Sequence, residues 1–212
     1  MKTKLIILPI LTFVLLGLIS CAKTGDITVQ KAMNAYKKQN LEEALVFFKQ
    51  AAEEESNYSK ETLYTFISTI YTMQEDYEQA IVFQKKSLEL KKDYRTIISL
   101  AMNYHLLSKD NNAEEIYKEA IAFAPEKSEA YAMLGSLYLS QDKTDAAIEN
   151  LTKASIITPQ YAVVHANLAV AHAKKGDFET AAKELEKAKE LKCENIEEFK
   201  SKIEKLKDSS KK

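Results

Sequence analysis

Glycine and proline are nearly missing from this chain, at four and three in 212 residues. A chain so short of the residues that punctuate turns has little room for irregular loops, and long helices are expected. Excess charge of one sign is missing as well. Thirty Lys and Arg stand against 31 Asp and Glu, for a formal net charge of −1. Without a basic excess, nothing points to nucleic acid. Catalytic signatures are absent: there is no glycine-rich phosphate loop, no H-E-x-x-H, no G-x-S-x-G and no C-x-x-C. Three histidines are present, His105, His165 and His172. His165 and His172 lie seven apart on one helix face, but no carboxylate at matching spacing completes a metal site. The acidic pairs Glu42-Glu43, Glu114-Glu115 and Glu197-Glu198 fall near expected helix starts, where the helix dipole favours them without catalysis. The expectation is a protein that is not an enzyme and that has no cofactor and no metal. Apolar residues at 46% and charged residues at 29% are ordinary for a soluble globular chain.

What is there begins with one apolar run. Lys2 and Lys4 precede Leu5–Ile19, which is apolar except for Thr12, and Ser20-Cys21 follows. A short basic region, an apolar core and a small residue describe a secretory signal. The run falls short of the roughly 20 apolar residues of a spanning helix, and Pro9 and Gly17 weaken it further. Leu18-Ile19-Ser20-Cys21 also resembles the lipobox of bacterial lipoprotein precursors. That resemblance implies removal of residues 1–20 and acyl chains (thioether-linked and amide-linked, palmitate among them) on Cys21. An ordinary signal, or an uncleaved anchor with a chance cysteine, is the alternative. One acyl chain binds a membrane only marginally, whereas two or three hold a soluble domain on its surface. Cleavage takes Lys2 and Lys4 away and moves the net charge from −1 to −3. Ala22, rather than Asp, follows Cys21. In families with two membranes this favours the outer one, with the soluble part on the periplasmic or extracellular side of a bacterial envelope.

The rest of the chain repeats. Ser128–Pro159 carries Tyr131, Leu134, Gly135 and Tyr138, then Ala147 and Leu151, then Ala154 and Pro159. This resembles the tetratricopeptide pattern W-x2-L-G-x2-Y, A-x3-F, P in 34 residues, with Tyr for Trp and Leu for Phe. The opening alanine of the second element recurs at Ala44, Ala80, Ala113, Ala147 and Ala181, in steps of 36, 33, 34 and 34. A second small residue follows seven later at Ala51, Ser87, Ala120, Ala154 and Ala188. The resemblance implies an all-α, right-handed α-solenoid of five helix pairs. They are placed at about 25–60, 61–93, 94–127, 128–161 and 162–195, after a linker at 21–26. Asn40, Asp76, Asp110, Asp142 and Asp177 are the expected caps of the second helices. Gly135, with Ala101 and Ala169 at equivalent places, lets paired helices approach closely, and His165 and His172 are read as interhelical packing residues.

Ile196, Phe199, Ile203 and Leu206 recur at steps of 3, 4 and 3 and form one apolar stripe on a charged helix. It is expected to cap the stack, with a frayed tail to Lys212; a helix lying on a membrane is the rival reading. With Cys21 acylated, Cys193 is alone. It falls where the repeat has its proline and is expected to be a small buried hydrophobe, the alternative being a reactive or bridging thiol.

In tetratricopeptide domains the first helices of successive pairs line a groove. The resemblance assigns to it Met33 and Tyr36, with Val29; Thr69, with Thr65 and Thr72; Ile98, Met102 and His105, with Arg95; Met133, Ser136 and Leu139, with Ala132; and Asn167 and Val170, with Ala166. Family members that clamp a C-terminal carboxylate use Lys and Asn there. Val29 and Met33 stand in their place here, so that activity is not expected. A methionine-bearing, nearly uncharged groove suits an apolar or amphipathic peptide or helix, unless the chain's own termini fill it. The function read from these features is a lipid-anchored scaffold or assembly factor, monomeric, acting through an unidentified protein partner. Alternatives are a self-associating structural protein and an accessory subunit of an envelope enzyme or of a secretion, pilus or barrel-assembly machine.

Overall fold

The computed structural model describes residues 23–210, so the apolar run and Cys21 lie outside the described residues. Eleven α-helices and no strand occur among the described residues. They run α1 Thr24–Lys37, α2 Leu41–Glu53, α3 Lys60–Met73, α4 Tyr77–Leu90, α5 Tyr94–Leu106, α6 Asp110–Phe123, α7 Ser128–Ser140, α8 Thr144–Ile157, α9 Ala162–Lys174, α10 Phe178–Glu190 and α11 Ile196–Ser209. The first ten form five antiparallel hairpins stacked side by side as an α-solenoid, and α11 packs on α9 and α10.

Each hairpin turns through a single left-handed residue: Gln39, Glu75, Ser108, Asp142 and Gly176. Only the last is a glycine. The other four hold φ between 56° and 63° with a side chain present, a conformation that disfavours Cβ. The chain manages with so little glycine because the backbone on both sides of each turn is pinned by helix packing. Three of the expected caps form: Asn40 accepts from the Glu43 amide, Asp76 from Gln79 at 3.1 Å, and Asp177 from Thr180 at 3.1 Å. Two do not. Asp110 is the first residue of α6, and its carboxylate meets His105 Nδ1 at 2.7 Å. Asp142 is the left-handed turn residue, and its carboxylate pairs with Lys174 of the next hairpin. Asp93 supplies an unforeseen cap, accepting from the Thr96 amide at 2.9 Å and the Thr96 hydroxyl at 3.0 Å.

The small residues that phase the sequence are the points where helices touch. Ala44, Ala80, Ala113, Ala147 and Ala181 are fully buried, and so are Ala51, Ala120, Ala154 and Ala188. At Gly135 the approach is closest: a Cβ there would stand 2.6 Å from Leu151 Cγ and 3.2 Å from the Leu151 amide nitrogen. Around these contacts the apolar core forms two large clusters. One spans α1–α3 with Ala80 of α4, and the other runs from Ile81 and α5 to α9. A small third cluster, Ala166, Ala188 and Cys193, lies beneath Ile196 and Phe199 of α11. Cys193 is buried, and that burial pushes its thiol pKa up. No helix among the described residues is long and apolar enough to cross a membrane.

Candidate peptide-binding groove

The first helices of the hairpins are joined by a ladder of side-chain bonds. Tyr36 of α1 donates its hydroxyl to Met73 Sδ of α3 at 3.4 Å. Asn103 of α5 donates to Thr72 Oγ1 of α3 at 3.0 Å, and Asn167 of α9 donates to Ser136 Oγ of α7 at 3.0 Å. The Ala130 amide of α7 donates to the Tyr94 hydroxyl of α5 at 3.1 Å, so the five first helices are linked in order, and a cavity of about 350 Å³ opens between α3 and α5.

All lining residues of the cavity come from α3, α4 and α5, so α11 does not fill it. Its floor is polar. Asn103 is 1% exposed and spends its two amide hydrogens on Thr72 Oγ1 and on Gln84 Oε1, the latter at 3.1 Å. Ser68, Gln84, Ser87, Thr96 and Asn103 are all buried polar residues of this one region. Buried polar groups are costly unless bonded, and here the bonds are made. The hydroxyl hydrogens of the α3 wall are also committed: Ser68 and Thr69 donate to the Thr65 carbonyl and Thr72 donates to that of Ser68. A donating hydroxyl keeps its oxygen as an acceptor, and that of Thr72 already accepts from Asn103. Met73, Met102 and Leu106 are exposed around it and supply apolar surface. Arg95 stands on the rim. It is the only arginine in a sequence with 29 lysines, and no ion pair engages it among the described residues. The site thus offers hydroxyl acceptors, an adaptable thioether wall and one guanidinium with five donors.

The residues assigned to the groove fall into four groups. Thr69 and Met102 line the cavity, with Thr65, Thr72 and Arg95. Met33, Tyr36, Met133, Ser136 and Asn167 are half-buried along the inner face. Ile98, Leu139 and Val170 are buried at 3%, 9% and 7%, so their side chains pack into the helix stack instead of meeting a ligand. His105 is exposed, but it turns to Asp110 at the start of α6. Gln84, Ser68 and Asn103 were missed. Gln84 carries a readable signal. It occupies the fourth place after Ala80, where the other hairpins have Phe48, Tyr117, Leu151 and Leu185. A polar residue at a core position of the repeat marks a place where the packing does something else.

The other histidines have partners within the fold. His165 is buried, with Nδ1 2.6 Å from Glu184 and Nε2 2.9 Å from the Pro159 carbonyl oxygen. His172 Nδ1 lies 3.4 Å from Asp177. Among the described residues, no group of three or more His, Cys, Asp or Glu gathers where a metal ion would be held.

Stacked helix hairpins with a continuous inner face define an α-solenoid repeat protein. Tetratricopeptide repeats are matched in part of the stack: family models described as "Tetratricopeptide repeat" match residues 61–94 and 162–194, and one described as "TPR repeat" matches 135–176. No curated protein matches the sequence. Among solved structures, a tetratricopeptide repeat protein from Parabacteroides merdae ATCC 43184 is similar with a TM-score of 0.77 and 18% identity. The match covers 86% of this chain and 73% of that one. MamA (residues 41 to the end) from Desulfovibrio magneticus RS-1 is similar at 0.71 and 22%, over 81% and 96%. YrrB, a TPR protein described as having an unusual peptide-binding site, is similar at 0.64 and 22%, over 80% and 87%. At these identities the likeness is one of fold.

Proposed function

We infer that this chain is a lipid-anchored protein of a bacterial envelope that holds a partner protein through its inner groove, as a scaffold or assembly factor. The observation that carries the groove reading is the cavity between α3 and α5, open on the face that tetratricopeptide repeats present to partners. Its chemistry suits an amphipathic segment, with an apolar side chain against Met73, Met102 and Leu106 and a carboxylate or carbonyl within reach of Arg95. The peptide-binding site of YrrB is a parallel on the same fold. Ser20-Cys21 after the apolar run supports the anchor, and Ala22 favours the outer membrane where there are two. The covering of the last hairpin by α11 argues for a monomer over end-to-end stacking.

The test is crosslinking in the native cell, with captured proteins identified by mass spectrometry from the parent and from Met102→Glu. A carboxylate in the cavity costs a seated apolar group several kcal/mol in desolvation, so recovery of the groove partner should fall by more than about tenfold. Helicity should be unchanged, because Met102 is 40% exposed and bears no core contact that folding requires. Equal recovery of every partner from parent and variant sinks the groove assignment.

A further inference from the structure

The two edges of the solenoid differ in chemistry. One edge carries the turns within the hairpins, at 38–40, 74–76, 107–109, 141–143 and 175–177. These are polar apart from Leu107, which is half-buried. Two of them are tied to the second helix of the preceding hairpin by polar contacts, Gln74 to Glu42 of α2 at 2.7 Å and Lys143 to Glu114 of α6 at 3.2 Å. The opposite edge carries the joins between hairpins, and there Tyr58, Leu90, Phe123, Ile156 and Ile157 are exposed, Ile156 at 72%. Leu90, Phe123 and Ile157 each end the second helix of a hairpin, 33 and 34 residues apart. The repeat therefore lines them up as a row. Ile27 and Val163, in the first turns of α1 and α9, are also exposed at this edge. Singly exposed apolar residues need no explanation. Met73 and Leu106, which end α3 and α5 beside the turns, are exposed too, but they line the inner cavity. The longer row at the joins, at the period of the fold and outside that cavity, marks a contact surface of its own.

The start of the described chain lies at the same edge. The Gly25 amide donates to the Glu55 carbonyl at the end of α2 at 3.1 Å, and Lys23 Nζ pairs with Glu55 at 3.2 Å. Cys21 is two residues before Lys23. A residue spans at most about 3.6 Å, so Cys21 can lie no more than about 7 Å from it. Acyl chains on Cys21 would thus enter a bilayer beside the apolar row. Lys91, Lys92 and Lys127 flank the row, but Glu89, Asp93, Glu126 and Glu129 are interspersed with them. With four acidic residues among three lysines, this edge has no cationic excess to draw it to anionic lipid.

We propose that the edge formed by Tyr58, Leu90, Phe123, Ile156 and Ile157 rests on the lipid surface that holds the acyl anchor. The solenoid is thereby oriented edge-on, with its inner groove opening sideways along the membrane and the polar turn edge facing away. The occupant is the boundary between headgroups and acyl chains, where aromatic and aliphatic side chains partition together. This inference rests on acylation of Cys21.

Because the sequence contains no tryptophan, a single introduced one reports one place. The acylated, full-length-processed protein is reconstituted on phosphatidylcholine vesicles with plain or brominated acyl chains. Phe123→Trp and Leu90→Trp probe the row, and Lys109→Trp probes the opposite edge. Brominated chains should quench emission from the two row probes and leave Lys109→Trp unchanged. Equal emission from Phe123→Trp and Leu90→Trp on both kinds of vesicle, in protein that still floats with them, overturns the edge alone. So does equal quenching of all three. Emission of Phe123→Trp shifted to the blue without vesicles, together with a doubled mass, shows that a second copy covers the row and also overturns it. If Cys21 takes up no labelled fatty acid, the anchor fails and the edge fails with it.

Discussion

A single methyl group at position 135 has nowhere to go. The nearest atoms are Cγ, Cδ2 and the backbone nitrogen of Leu151, a residue with no exposed surface, so α7 and α8 would have to separate. Gly135→Leu should cost about 1–3 kcal/mol by overpacking. In a domain of this size that lowers the melting temperature by about 2–4 °C per kcal/mol, and a melt matching the parent would show the contact to be soft. Arg95 and Gln84 are informative at the same scale because each departs from its surroundings. Arg95 is an arginine among lysines, and Gln84 is an amide at a place that elsewhere holds large apolar groups.

Helices in this stack are held to their neighbours by a few polar clusters as well as by apolar contact. Glu114 of α6 accepts from Lys118 at 2.7 Å, from Tyr138 of α7 at 3.0 Å and from Lys143 in the following turn at 3.2 Å. The Lys118 bond chiefly, against the opposing effect of burial, holds its carboxyl at a pKa of about 2, below an ordinary glutamate's. A carboxylate whose pKa is lowered by folding adds stability above its unfolded value near 4.5, and that stability is lost as pH falls toward about 2. Glu114→Gln should therefore melt below the parent at pH 7, and the gap should close as the pH approaches 2. Thermal melts across that range check it, and a gap independent of pH would mean that the cluster acts through packing. Proximity to a helix start accounts for Glu42, but Glu114 lies in the second turn of α6 and serves as a tie between hairpins.

Among the described residues the two large apolar clusters part at α4, with Ala80 in the first and Ile81 and Leu88 in the second, and a polar patch sits at the join of the second and third hairpins. There Gln84, Asn103, Thr72, Ser87 and Thr96 stand among the few apolar contacts made by Ile81 and Leu88. In a solenoid, stability is approximately a sum over hairpins and their nearest-neighbour interfaces, so the polar join is where cooperativity should break. Native-state hydrogen exchange should show α1–α4 opening as a unit separate from α5–α10. Restoring the apolar pattern with Gln84→Leu and Asn103→Leu together should merge the two. A single common opening energy in the parent would mean that the hydrogen bonds couple the halves as well as a hydrocarbon core does. The cavity lies on this join, so the candidate binding surface and the predicted weak point coincide.

The sequence by itself determined the period, the number of hairpins, the touching alanines, the close approach at Gly135 and the covering helix after the fifth hairpin. These are properties of spacing along one helix and of side-chain size, and a short window of sequence reports both. The tertiary structure alone decided which inner-face residues a partner can reach. Ile98, Leu139 and Val170 rotate into the stack while Met102 and Thr69 stay open, because successive residues differ by about 100° around the helix and the packing of each helix sets its rotation. It also brought Gln84 and Asn103, nineteen residues apart, into one buried network, and lined up Leu90, Phe123 and Ile157 on one edge. Both depend on how successive hairpins stack, which spacing within a single hairpin does not encode.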